Sequence, residues 1–222
     1  VPTAPPAPAA PYKLEAPPAA APGAGVRYEA AYPGFKNIGN LPWVAVMADF
    51  IRDGERTLLA ATDGKEIRIF SAGNTLVPVA QGDTSYVAQI LSLQWWRPAP
   101  GDELRLAVTA WNERRLESAL FALRGDRLEP LVEHIPYILG TFDRNGDGTP
   151  ELLLGQNLDL DTFFGVQVKA LRLEKGKLAE SAPGFALPRR FTVTGSRFVY
   201  LTGDGEPETI CSRDGLLYIS SR

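Results

Sequence analysis

The feature of this 222-residue chain that most limits its fold is a recurring register. Displaced by 94 positions, Asp49-Phe50-Ile51-Arg52-Asp53-Gly54-Glu55-Arg56-Thr57-Leu58-Leu59 falls on Asp143-Arg144-Asn145-Gly146-Asp147-Gly148-Thr149-Pro150-Glu151-Leu152-Leu153. Half that displacement, 47, places Leu59-Ala60-Ala61-Thr62 on Leu106-Ala107-Val108-Thr109. A shift of 57 carries Asp147-Gly148-Thr149-Pro150-Glu151 onto Asp204-Gly205-Glu206-Pro207-Glu208. Four repeats of about 47–57 residues therefore run from about residue 41 to the end. A period of this length makes each repeat one small unit that buries its apolar face only by packing on a neighbour.

Inside each repeat the pattern is that of strands. An apolar run comes first: Val44–Phe50, Ile90–Trp96, Ile135–Phe142 and Phe198–Leu201. A second short apolar run follows in each (Leu58–Ala61, Leu104–Thr109, Glu151–Leu154, Thr209–Cys211). The third alternates with period two in Glu66–Phe70, Ala119–Leu123 and Val166–Leu171, and turns such as Gly73-Asn74 and Gly125-Asp126 lead to a fourth. Alternation between short Gly-containing turns predicts antiparallel meanders, and no stretch carries a helical period. The expected fold is all-β. Four antiparallel strands per repeat at this spacing predict a β-propeller of about four blades, at about 41–82, 87–133, 135–180 and 191–222. Pro78 and Pro130 fall in fourth strands, where an outer edge tolerates a missing donor. The last repeat stops after its third strand, Leu216–Ile219. Val26-Arg27-Tyr28-Glu29-Ala30 matches Asp126–Pro130 and is the expected N-terminal latch, so that 26–31 complete the last blade. A solenoid-like row of sheets is the alternative.

Residues 1–25 hold 8 of the 19 prolines and 9 alanines. Proline at this density blocks helix and sheet, so the segment reads as an extended tether, without the basic and apolar regions of a signal peptide. One Cys (Cys211) and one His (His134) exclude a multi-cysteine zinc site, an internal disulfide and an iron–sulfur cluster. A net charge of −3, with no basic run longer than two residues, argues against nucleic acid as a partner. No apolar run reaches the length of a membrane span.

The richest stretch chemically is Asp143–Glu151. Side-chain oxygens of Asp143, Asn145 and Asp147 converge if the loop curls at Gly148. The Thr149 carbonyl and Glu151 can complete a shell of hard oxygen ligands, which is what Ca²⁺ requires. An EF-hand is excluded, because position 12 is Leu154 and the flanks are strands. An empty Asx-rich turn is the alternative. The equivalent loops are degenerate: repeat 1 has Ile51 and Thr57 at ligand positions, repeat 2 has Trp96 and Pro98, and repeat 4 has Tyr200 and Thr202. One Ca²⁺ site is expected. An apolar strand followed by D-x-N-x-D-G-x-x-E-L and further strands resembles the FG-GAP/VCBS repeat of integrin-α-like β-propellers, best in repeat 3 and least in repeat 2. The resemblance covers about residues 41–222. It implies Ca²⁺ held at Asp143, Asn145, Asp147, Thr149 and Glu151, an extracellular, cell-surface or periplasmic location, and adhesion or partner binding. Integrin-like propellers have seven blades where this chain supplies about four, which leaves a small ring, a pair of copies or part of a longer propeller.

Candidate binding residues lie in the loops between second and third strands: Trp111 and Asn112 in repeat 2, and Asp159, Asp161, Phe163 and Phe164 in repeat 3. An aromatic pair beside carboxylates suits a partner-binding patch; packing of those phenylalanines on the sheet is the alternative. Trp95–Trp96 and Trp111-Asn112 are candidate stacking platforms for a sugar, but aromatics in such strands are expected to fill the wedges between sheets, and Trp95 and Trp96 point to opposite faces of one strand. Asp159 and Asp161 lack an accompanying nucleophile, so no catalytic residue is assigned. The expected function is a non-enzymatic, extracytoplasmic binding or assembly module with a protein or glycan partner. A carbohydrate-active enzyme, or a structural accessory domain of a larger complex, is the alternative. His134 is expected at the surface or in a turn, and Cys211 as a small buried apolar group.

Overall fold

A computed structural model describes residues 36–84, 88–113, 115–157, 167–181, 187–188, 191–202, 204, 206–213 and 215–220, without the side chains of Asp83 and Arg213. The chain divides into Val1–Asn37 and Ile38–Arg222. The first unit is described only at Lys36 and Asn37; everything below concerns the second.

The described residues form sixteen strands and no helix. Consecutive strands pair antiparallel in four meanders. The first comprises β1 (Met47–Asp53), β2 (Arg56–Thr62), β3 (Glu66–Ala72) and β4 (Leu76–Asp83). The second comprises β5 (Gln89–Trp96), β6 (Arg105–Asn112), β8 (Ser118–Arg124) and β9 (Arg127–Ile135), with the two-residue β7 (Arg115–Leu116) folded onto β6. The third is β10 (Ile138–Phe142), β11 (Leu152–Gln156), β12 (Val168–Glu174) and β13 (Lys177–Ser181). The fourth has three strands, β14 (Ser196–Val199), β15 (Glu208–Arg213) and β16 (Leu216–Ser220). The all-β expectation holds. The proposed latch at 26–31 lies outside the described residues.

The first two meanders are not separate sheets. A single parallel pair, Gln81 with Arg127, joins β4 to β9 and makes one nine-stranded sheet in the order β1-β2-β3-β4-β9-β8-β6-β5, with β7 at its side. The contact is close enough to require glycine beside it, since a Cβ on Gly82 would stand 2.8 Å from Leu128 Cβ. Pro78 and Pro130 occupy corresponding places in these two strands, which meet inside the sheet and are not the free outer edges that the sequence pattern predicts. Each lies beside a register shift, Pro78 opposite Phe70 and Pro130 opposite Phe121. The bulge and the missing N–H thus fall together, where the ladder is already broken.

The first strand starts later than Val44–Phe50 predicts. Leu41, Trp43 and Ala45 do not pair as strand; they pack on the back of the first meander against Leu59, Ala61 and Phe70. Leu76 N–H donates to Ile38 O, and the Arg68 guanidinium lies 5.5 Å from the Trp43 ring centre, which fixes this cover. Polar alternation in the sequence could not separate a covering segment from a strand, because both present every second side chain to the sheet.

Three apolar cores lie between consecutive meanders. Ile51, Leu58, Ile67 and Ile69 of the first meet Ile90, Trp95, Leu106 and Phe121 of the second. Trp96, Ala107 and Leu120 on the other face of the second meet Leu139, Leu153 and Leu171 of the third. Phe142, Leu154 and Ala170 of the third meet Cys211 of the fourth, with Phe191 and Val193 from the connection. Phe142, Phe191 and Phe198 stand 5.4–5.8 Å apart by ring centres. Trp95 and Trp96 are therefore divided between two cores, as their adjacency on one strand demands. Leu58, Ile67 and Leu106 are each 1% exposed or less. Each such side chain contributes about 1.5–3 kcal/mol through burial.

Candidate calcium loop and the opposite cleft

The loop between β10 and β11 is shaped by its own polar side chains. Asp143 Oδ1 accepts Gly146 N–H and Oδ2 accepts Gly148 N–H, both at 2.7 Å. Asn145 Oδ1 accepts Asp147 N–H at 2.9 Å, and Asp147 Oδ1 accepts Thr149 N–H at 2.7 Å. Asn145 Nδ2 donates to Asp147 Oδ2 at 3.1 Å. Gly146 and Gly148 take φ of 75° and 85°, in the left-handed region that glycine enters without strain. Glu151 closes the loop from the far side, with both carboxylate oxygens within 3.2–3.3 Å of Arg144 N. Burial pushes the Glu151 carboxyl above its ordinary range, and the negative charges of Asp143 and Asp147 push it further.

Neighbouring meanders grip this loop at both ends. Arg97 N–H donates to Pro150 O at 2.9 Å, and Trp96 Nε1 donates to Glu151 O at 3.0 Å. The Arg97 side chain turns to the first meander and pairs with Asp53 at 2.6 Å, holding that carboxyl below its usual range. From the fourth meander, Tyr200 OH donates to Arg144 O, and its ring covers Gly146 so closely that a Cβ there would lie 2.6 Å from Tyr200 Cε2. The first loops of all four meanders are thus linked through Asp53, Arg97, Pro150, Arg144 and Tyr200. No local pattern in the sequence marks Arg97 or Tyr200, because their partners lie 44 and 56 residues away.

The fourth meander repeats part of the same construction. Glu208 Oε2 accepts Leu201 N–H at 2.8 Å, seven residues back as with Glu151 and Arg144. Asp204 Oδ1 accepts Glu206 N–H at 2.9 Å, matching Asp147 and Thr149. Tyr200 stands where Asp143 stands in the third. The first meander departs from this correspondence: β1 and β2 join through the two-residue turn Gly54-Glu55, with Asp53 opposite Arg56. Asp49 is a strand residue whose Oδ2 accepts Trp95 N–H at 2.8 Å. The apolar Ile51 extends the strand through the position where the third meander has Asn145.

The donor set of the third loop fits a hard cation: two aspartates, an asparagine and a glutamate within nine residues, all carrying oxygen. Each carboxylate oxygen that accepts one N–H retains a second lone pair. Among the described residues, no group of three His, Cys, Asp or Glu side chains is already gathered around one point as a metal shell.

Trp111 and Asn112 lie at the other end of the strands, and not in a loop as expected: they are the last two residues of β6, paired with Leu116 and Arg115 of β7, because the strand runs on through them before it turns. They border a cleft of about 820 Å³ together with the β2–β3 turn and the start of β5. Asp159, Asp161, Phe163 and Phe164 lie outside the described residues. No protein-family model matches this chain, and no curated protein matches it significantly.

A further polar cluster had no signal beyond the solitary histidine. Glu117, 2% exposed, pairs with Arg115 Nε at 2.5 Å and accepts from His134 Nδ1. Burial raises the Glu117 pKa, but the His134 hydrogen bond and the Arg115 charge outweigh it and hold the carboxyl below its ordinary range. His134 is a strand residue with φ of 57°, not a turn residue, and its side chain is largely exposed. Cys211 is buried and free, as expected. No helix among the described residues is long and apolar enough to cross a membrane.

Proposed function

We propose that the meanders are the blades of a small four-bladed β-propeller that serves as a non-enzymatic binding or assembly module outside the cytoplasm. One Ca²⁺ would be held by Asp143, Asn145, Asp147, the Thr149 carbonyl and Glu151. The observation that carries this reading is the oxygen-lined loop at 143–151, gripped on one side by Trp96 and Arg97 and on the other by Tyr200. When bound, the cation supplies positive charge to a loop whose carboxylates otherwise repel one another, and it performs no chemistry. The blade arrangement is supported by the three cores between consecutive meanders.

Calorimetric titration of the full chain with Ca²⁺ tests the site. The expected result is one bound ion, with affinity in the range of extracellular calcium modules, at about 10⁻⁴–10⁻³ M. Asp147→Ala is expected to abolish the heat while leaving the far-UV spectrum unchanged. Equal heats from wild type and variant would remove the assignment.

A further inference from the structure

The cleft at the end of the strands opposite the calcium loop has a floor and walls that packing among the described residues does not explain. Of the four tryptophans, Trp95 and Trp96 fill cores and Trp43 covers the back of the first meander. Among the described residues, Trp111 belongs to none of the four apolar clusters and is half-buried at the cleft. Gln89 stands directly opposite it across β5 and β6. The far wall is the β2–β3 turn, held by Ile90 N–H donating to Gly64 O at 2.8 Å and Gly64 N–H donating to Thr62 Oγ1 at 2.9 Å. Asp63 Oδ1 accepts both Lys65 N–H and Glu66 N–H at 2.9 Å, which keeps its carboxyl below the ordinary range and therefore ionised at neutral pH. Glu113 borders the cleft with φ of 48°. This is a turn position that favours Asn or Gly, so the turn does not account for a glutamate there.

We propose that this cleft binds a neutral oligosaccharide, with one pyranose ring lying on the Trp111 indole and its hydroxyls held by Gln89, Asn112 and the surrounding carboxylates. The inference rests on the reading of the chain as a binding module and gives that module a ligand class. A pyranose offers one C–H face for an aromatic ring and a rim of hydroxyls that both donate and accept. The cleft offers the complement, an aromatic surface bordered by amides and carboxylates. Its volume of about 820 Å³ suits several atoms more than a single sugar. The lining residues include Asp63, Glu66 and Glu113 against Lys65. That balance disfavours uronic acids, sialic acids and phosphates.

The test is a ¹H–¹⁵N NMR titration of the full chain with cello-, manno- and chito-hexaose, and with oligogalacturonate as the anionic comparison. The Trp111 indole signal is assigned by its loss in Trp111→Phe. At least one neutral hexaose is expected to shift that signal together with the Gln89 and Asn112 side-chain amides, while oligogalacturonate shifts none of them. Trp111→Ala is expected to weaken binding about tenfold or more. Asn112→Ala gives a second, milder loss should the tryptophan variant fold poorly. Three results would overturn the proposal: no response to any neutral hexaose, binding that leaves Trp111 unmoved, or stronger binding of the anionic sugar. Capture of a peptide in the cleft without any glycan would overturn the ligand class and leave the binding-module reading standing. Cleavage of a hexaose bound at Trp111 would do the reverse, supporting the cleft and ending the non-enzymatic reading.

Discussion

Trp95 and Trp96 offer a direct trial of how the meanders are held together. They are neighbours in the chain, 0% and 2% exposed, yet they belong to different cores. Trp95 packs toward the first meander, where its Nε1 donates to Asp49 O at 3.2 Å. Trp96 packs toward the third, where its Nε1 donates to Glu151 O and its ring lies 5.0 Å from the Arg105 guanidinium. Truncation of either to alanine leaves a large cavity and is expected to cost about 3–5 kcal/mol. For a chain of this size that corresponds to a fall of roughly 6–20 °C in Tm, read by circular dichroism. Equal costs would say little on their own, so the discriminating assay is hydrogen exchange resolved by residue. Trp95→Ala is expected to speed exchange in β1 and β2, and Trp96→Ala in β10 and β11. Acceleration of the same strands by both variants, or a cost below about 1 kcal/mol for either, would refute the division of cores.

Gly146→Ala is expected to cost about 1–3 kcal/mol in urea melts, because the new methyl meets the Tyr200 ring at a positive φ. In a Tyr200→Ala background the cost should shrink but persist, since only the contact is relieved. Glu117→Gln is expected to lower stability at pH 7 by about 1–3 kcal/mol through loss of a buried, paired carboxylate. The native Glu117 pKa lies below the ordinary value of 4.5, so its contribution is complete above that value and is lost as pH falls through the lowered one. The variant should therefore lose stability less steeply than wild type on acidification below that pH, and parallel acid melts would contradict the assignment.

Much of the fold is visible in the sequence because it is written in short-range periods. Alternation in Glu66-Ile67-Arg68-Ile69-Phe70 and the turns at Gly125-Asp126 depend only on residues close in the chain, and these elements formed where expected. The two tryptophans follow from the same rule of alternating faces. What failed to show depends on long-range packing. Leu41, Trp43 and Ala45 have the pattern of a strand but serve as a cover, packing on Leu59 and Phe70, which lie on the back of the first meander and are buried beneath them. The match of Asp49 and Asp53 to Asp143 and Asp147 is real as sequence but not as structure. An aspartate in mid-strand and one before a tight Asp-Gly turn have different neighbours from a pair in a nine-residue loop. Arg97, Tyr200 and the Glu117–His134 pair act across 17 to 56 residues, and no local motif announces them. The cleft beside Trp111 is legible in the sequence only as a tryptophan expected in a loop, whereas the residue ends β6 and the cleft's walls come from the β2–β3 turn and the start of β5.

The central claim, a four-bladed ring pinned by one calcium ion, meets its most direct test in a crystal structure of the full chain grown with Ca²⁺ and recorded at long wavelength. The account predicts one anomalous peak among Asp143, Asn145 and Asp147, with β14 beside β1. A loop without a peak at millimolar Ca²⁺, or a fourth meander standing apart from the first, would contradict it.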